Sequence, residues 1–247
     1  MINTRRRARA VVLPALLLLA VALAGCTGDY EQVLRPPRAD VTGISVVAIF
    51  PFVPMSSDPG LARAFTDGVL RSLRDSGWYQ VIPPEQVESV MAEWRVDSRQ
   101  VTGGPIAREI AAELGADGFI VGIADYYFED VALDVPYPSR GGQPEAGVNW
   151  RVDQRTSVTV GMQAQLVNVH TGAVVHRWNG QRTGEVTDVR QLLWWSADPP
   201  PRSALPSTHR RDIPKAREEA IKKAVDAFTA DLLPRYEWVR RETDAQQ

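Results

Sequence analysis

The chain has one cysteine, Cys26, and three histidines in 247 residues. A single thiol excludes an internal disulfide and any zinc module built on paired cysteines. Basic charge is not in excess, with 28 Lys and Arg against 30 Asp and Glu, so no nucleic-acid-binding face is expected. Catalytic signatures are also scarce. No serine sits in a G-x-S-x-G turn, and Ser56 and Ser57 read as helix-capping polarity. Gly103 and Gly104 lack the Lys-Ser/Thr that would follow in a phosphate loop. His170 and His176 flank a turn without a third ligand at metal-site spacing. Glu109 and Glu113, one helical turn apart, face away from Ile110 and Leu114 and read as wet surface. The expectation is a protein that is not an enzyme and holds no cofactor and no metal.

Long apolar runs are confined to the start, where Arg5, Arg6, Arg7 and Arg9 precede Ala10 to Ala24 and polarity returns at Thr27, Gly28 and Asp29. That is the layout of a secretory signal, and the run is short for a spanning helix, which needs about 20 apolar residues. Leu23-Ala24-Gly25-Cys26 resembles a bacterial lipobox, in which small residues fit a signal peptidase and the cysteine becomes the lipidated first residue. The bland alternative, a buried structural cysteine, would put a core residue at the edge of a segment built to enter a membrane. One lipid chain holds a protein to a membrane only weakly, so the diacylglycerol and acyl chain implied by the resemblance matter. Thr27 is not the aspartate that retains such lipoproteins at the inner membrane, which implies the periplasmic face of the outer membrane. Removal of residues 1–25 leaves 24 basic and 30 acidic residues, a net charge of −6.

Residues 26–42, with Pro36 and Pro37 and no periodicity, read as a lipidated tether. The run from Ile44 to Phe52 is continuous and β-branched or aromatic, as for a strand buried on both faces. Leu61, Phe65, Val69 and Leu73 then mark a helix that Gly77 can end. Gly77 leads into the strand around Tyr79–Ile82. Val87, Val90, Met91 and Trp94 share the face of a second helix, and Ile106, Ile110 and Leu114 that of a third, before the strand from Gly118. Strand and helix alternate, placing helices over a sheet. Residues 129–149 hold turn chemistry. Val158, Val160, Met162, Ala164 and Leu166 alternate with polar residues, and His170-Thr171-Gly172 turns the chain back, so residues 156–180 predict an antiparallel hairpin. Residues 181–212 read as a second irregular segment. Ala220, Ile221, Ala224, Val225, Phe228 and Leu232 mark a closing amphipathic helix from about Pro214 to Leu233. The fold class is α/β: a mixed sheet with helices packed on it, an antiparallel hairpin and a carboxy-terminal amphipathic helix.

The order of "VVAIFPF", "LARAFTDGVLRSL", "GWYQVI", "EQVESVMAEW", "AREIAAELGADGFIVGIA" and "VGMQAQLVNVHTGAVV", with a closing helix, resembles the CsgG-like superfamily of the curli assembly lipoprotein. The penicillin-binding-protein activator LpoB and the amino-terminal domain of TolB are related to it in fold. The resemblance covers about residues 43–233. It implies a 1–25 signal peptide, a 26–42 tether, a 43–236 periplasmic domain and a 237–247 polar tail. It also implies a noncatalytic envelope component that is tied to the membrane by lipidated Cys26 and acts on an unknown envelope protein partner, with a homo-oligomer possible. The alternative is an oligomeric curli-type channel subunit. In that family, regions corresponding to about 127–156 and 181–212 insert membrane hairpins, and the prolines and charges there argue against a barrel. Trp194 and Trp195, beside a proline-rich stretch, have three readings: cover for the core, an anchor for a partner protein, or a membrane-facing aromatic pair.

Overall fold

The computed structural model describes residues 30–102, 104–139, 148–194, 196 and 198–240. Two compact units divide the chain, one spanning residues 37–233 and the other formed by the segments on either side.

In the larger unit, β2 (Val46–Ile49) and β3 (Val53–Pro54) precede α1 (Leu61–Ser76), followed by β4 (Gln80–Ile82). Three short helices come next, α2 (Pro84–Trp94), α3 (Ser98–Val101) and α4 (Pro105–Glu113). The second half is mostly strand: β5 (Gly118–Leu133), β6 (Tyr137–Pro138), β7 (Val148–Asn168) and β8 (Val174–Trp194), then α5 (Ile213–Thr229). β4, β2, β5 and β7 lie side by side in that order, and β8 pairs with the remaining side of β7. β2 is parallel to both neighbours, whereas β5, β7 and β8 run antiparallel.

The sheet is covered on both faces. Val47, Ile49, Ile120 and the even-numbered residues Val158 to Leu166 pack with α1 and α5. Ala48, Phe50, Phe119, Val121, Val167 and Val169 pack on the other face with α2 and α4. This two-sided burial explains the unbroken apolar run of the first strand. Gly77, at φ 63°, ends α1 in the left-handed conformation that glycine adopts without a Cβ clash. Ser56 and Ser57 do not cap that helix as the sequence suggests. Gly60 holds the N-cap position, while the Asp58 carboxylate accepts from the Gly60 amide at 2.9 Å and from Arg217 Nε on α5 at 2.6 Å.

The later half corrects the sequence reading most. Residues 129–133 and 148–149, read as turn, are strand, residues 150–155 extend the hairpin strand toward its amino-terminal side, and residues 181–194, also read as irregular, complete β8. Together β5, β7 and β8 extend well past the helices as a three-stranded arm, with Val131 opposite Thr156 and Thr156 opposite Val186. Gly184 lets β8 meet α5 closely: a Cβ there would lie 2.0 Å from the Ala216 carbonyl oxygen and 2.6 Å from the Ala220 amide nitrogen.

The smaller unit is a two-stranded antiparallel ribbon of β1 (Tyr30–Arg35) and β9 (Arg235–Arg240). Residues 30–35, read as tether, and 237–240, read as polar tail, are therefore strands. Tyr30, Leu34, Tyr236 and Trp238 are exposed on it.

Candidate functional site

The two broad faces of the three-stranded arm differ. Even-numbered residues of β7 and β8 point to one of them, where Trp150, Val152, Gln154 and Thr156 are buried. The segment 198–212, which has no regular structure beyond a single turn at Arg202–Ala204, supplies partners on this side. Arg190 Nη1 donates to the Ser207 carbonyl at 2.6 Å. The Gln154 amide clamps the backbone of His209, accepting from its N–H at 2.9 Å and donating to its carbonyl at 2.8 Å. A fully buried glutamine needs such partners, and a backbone without secondary structure needs them equally.

The clamp holds the His209 ring between two carboxylates. Its Nε2 lies 3.1 Å from Asp188 Oδ2, and its Nδ1 lies 3.8 Å from Asp212 Oδ2. The Gln154 amide nitrogen stands 3.2 Å from Nδ1. Arg211 approaches both acids, at 3.4 Å from Asp188 Oδ2 and 3.7 Å from Asp212 Oδ1. Asp212 is 3% exposed, and its Oδ2 has no hydrogen-bond partner. Among the described residues, Asp188, His209 and Asp212 are the one group of such side chains with ligand atoms all within 4.8 Å of one another.

Other polar groups are engaged in holding the fold. Asp117 accepts from the Ser45 hydroxyl at 2.7 Å and from the Val46 and Ser45 amides, bonds that hold its carboxyl down at about 2. A surface cleft of about 660 Å³ lies against Arg108, Glu109 and His170. Arg108 is committed there to the Val169 and His170 carbonyls, at 2.5 and 2.7 Å. His176 stacks on Phe228, with ring centroids 5.5 Å apart. His170 and His176 thus serve different neighbourhoods.

Cys26 and the lipobox residues Leu23, Ala24 and Gly25 lie outside the described residues, as does Trp195. Trp194 is not in a loop, as expected, but is the last residue of β8. It is half-buried on the same face as Leu192 and Trp150, and its indole N–H finds no partner among the described residues. The sequence reading missed the Asp188, His209 and Asp212 group. Its only local signal is an aspartate three residues after a histidine, and Asp188 and Gln154 come from distant strands.

No protein-family model matches the chain, and no curated protein matches its sequence. Among solved structures it is similar to lipoprotein GNA1162 from Neisseria meningitidis, at 16% identity and a TM-score of 0.40, over 58% of this chain and 83% of that one. It is also similar to the LpoB C-terminal domain from Salmonella enterica, at 16% identity and a TM-score of 0.39, over 58% and 86% of the two chains. A third similarity is to PelC from Paraburkholderia phytofirmans, a dodecamer, at 15% identity and a TM-score of 0.36, over 81% and 99%.

Proposed function

We infer that this chain is a lipid-anchored protein of the periplasmic face of the outer membrane that acts noncatalytically, by binding another envelope protein. The anchor rests on Leu23-Ala24-Gly25-Cys26 after a basic and then apolar leader. The mode of action rests on the arm. Its inner face is filled by the chain's own segment 198–212, whereas its outer face carries Phe128 on β5 and Val189 and Leu193 on β8, each 50–54% exposed. Apolar and aromatic side chains spaced along a rigid, outward-facing sheet suit a protein contact better than a substrate site, which is concave.

The length of β5, β7 and β8 removes one argument against the channel alternative, since these segments do form strands. What still favours an adapter is the chemistry of the outer face, which in register also carries Asp130, Arg155 and Glu185. A charged residue facing lipid costs up to about 2–4 kcal/mol at the midplane. Among the described residues no helix is long and apolar enough to cross a membrane. Photocrosslinkers placed at Phe128 and Val189 in living cells test the reading. A specific envelope protein crosslinked from both positions is expected, and lipid adducts or ion conductance from the purified protein would overturn it.

A further inference from the structure

We infer that one face of the β1–β9 ribbon lies on the lipid headgroup layer beside the anchor, a contact that rests on lipidation of Cys26. Residues directly opposite each other in an antiparallel ladder share a side, and successive residues of a strand alternate sides. The register sets Gln32 opposite Trp238 and Leu34 opposite Tyr236, with Tyr30 at the start of β1, so these five side chains occupy one face. Tyr30, Leu34, Tyr236 and Trp238 are 48–68% exposed there, and none of the five carries a charge. The other face holds Glu31, Val33, Arg35, Arg235, Glu237 and Val239. On it Arg35 and Arg235 both bridge Glu237, at 3.1 and 3.2 Å.

Composition and position together name the occupant. Tyrosine and tryptophan have an apolar body and a polar tip, and they gather where a membrane meets water. With three such rings and a leucine on one side and ion pairs on the other, the ribbon is amphipathic across its thickness, as an element lying in the interface must be. A protein partner could use the same rings, but the tether favours lipid. Tyr30 is the fourth residue after Cys26, and four residues reach at most about 14 Å when fully extended. The polar layer on each side of a bilayer is itself roughly 5–8 Å thick. The start of β1 is thus held within reach of the headgroups, and its contact with them is an intramolecular event at high effective concentration. In register Arg240 stands opposite Tyr30, so a basic residue closes the same end of the ribbon, which suits anionic headgroups.

The membrane also supplies what the ribbon lacks. A lone two-stranded ribbon is marginal in water, and β1 and β9 form a sheet without a third strand. Seating the aromatic face on the headgroup layer removes its apolar area from water. Attachment then has two parts, the acyl chains and a stiff aromatic ribbon, and the second sets how the chain leaves the surface.

The test uses the full lipidated chain, reconstituted into vesicles of phosphatidylethanolamine and phosphatidylglycerol that contain a lipid with a nitroxide on its headgroup. Diacylglycerol blocks the thiol of Cys26, so one introduced cysteine takes a fluorophore. Leu34→Cys and Arg35→Cys label opposite faces at neighbouring positions, and Gln32→Cys and Val33→Cys repeat the comparison with the first pair unsubstituted. Quenching at least twofold stronger at positions 34 and 32 than at 35 and 33 is expected. Equal quenching on the two faces, or a photocrosslinker at Trp238 in living cells that captures protein and no lipid, would overturn the proposal while leaving the anchor in place. Intact mass keeps the two readings apart, since a chain without the diacylglycerol mass shift overturns the anchor and the ribbon contact with it.

Discussion

Replacing Gly184 with alanine adds one methyl group, yet the geometry makes it a severe substitution. The new Cβ would stand 2.0 Å from the Ala216 carbonyl oxygen, 2.6 Å from the Ala220 nitrogen and 3.0 Å from the Ala216 carbonyl carbon. All three are backbone atoms of α5, so no side-chain rotation relieves the clash. Relief requires β8 and α5 to separate by roughly 1 Å or more, which loosens the packing of Ala216, Ala220, Ala224 and Phe228. Overpacking costs about 1–3 kcal/mol and occasionally more, and a backbone-on-backbone clash belongs at the upper end. For a chain of this size that is a fall in melting temperature of roughly 6–12 °C. Gly180→Ala is the internal control. It lies on the same strand, and its Cβ would meet only the indole edge of Trp178 at 3.1 Å, so a loss under about 1 kcal/mol is expected. Urea unfolding of both variants measures the difference. Equal stabilities within about 0.5 kcal/mol would refute the assignment of close β8–α5 contact at this residue.

Three further expectations are independent of that contact. Cys26→Ser should abolish palmitate labelling in cells and release the protein from membranes in an alkaline wash, and persistence in the membrane pellet would contradict the anchor. Trp194→Ala should cost about 2 kcal/mol, below the range for a fully buried tryptophan because the ring is half-buried; an unchanged unfolding midpoint would restore the reading of a free anchor. Asp117→Asn should lower stability by about 1–2 kcal/mol at pH 7. The native carboxyl is held at about 2, below its ordinary 3.8, so its contribution is present above pH 4 and is lost as pH falls toward 2. The gap between wild type and variant should narrow over that window in urea titrations, and a gap constant with pH would exclude the linkage.

The first half of the chain was legible because its elements obey one rule each. The strand at Val46–Ile49 is apolar on both sides, and α1 buries Leu61, Phe65, Val69 and Leu73 at helical spacing. The hairpin core was equally plain, with alternate residues from Val158 to Leu166 buried. The arm was not. Its covered face carries Gln154, Thr156, Asp188 and Arg190 among Trp150, Val152 and Val186, so the alternation of apolar and polar residues disappears even though the alternation of sides persists. Those polar residues point inward because the segment 198–212 offers carbonyls, amides and a histidine rather than apolar side chains. A strand whose covering layer is irregular backbone is written in hydrogen-bonding residues, and a hydropathy pattern reads it as loop. The ribbon of Tyr30–Arg35 with Arg235–Arg240 was hidden for a different reason, since its two strands are separated by some 200 residues and neither can pair locally. The same holds for the cluster at His209, assembled from Gln154, Asp188 and Asp212 across three separate stretches.

That ribbon has a mechanical consequence. Its register pairs Tyr30 with Arg240 and Arg35 with Arg235, so the end rung joins the first residue of β1 to the last residue of β9. In an antiparallel pair the hydrogen bonds lie perpendicular to the strands. A force pulling Tyr30 away from Arg240 therefore acts along those bonds and opens the rungs singly, like a zipper, instead of shearing all six together. If Cys26 is fastened to lipid and a partner draws on the carboxy-terminal end, opening the ribbon releases roughly 40 Å of extended chain, counting six residues per strand at about 3.3 Å each. It would thus act as an extensible coupling at low load.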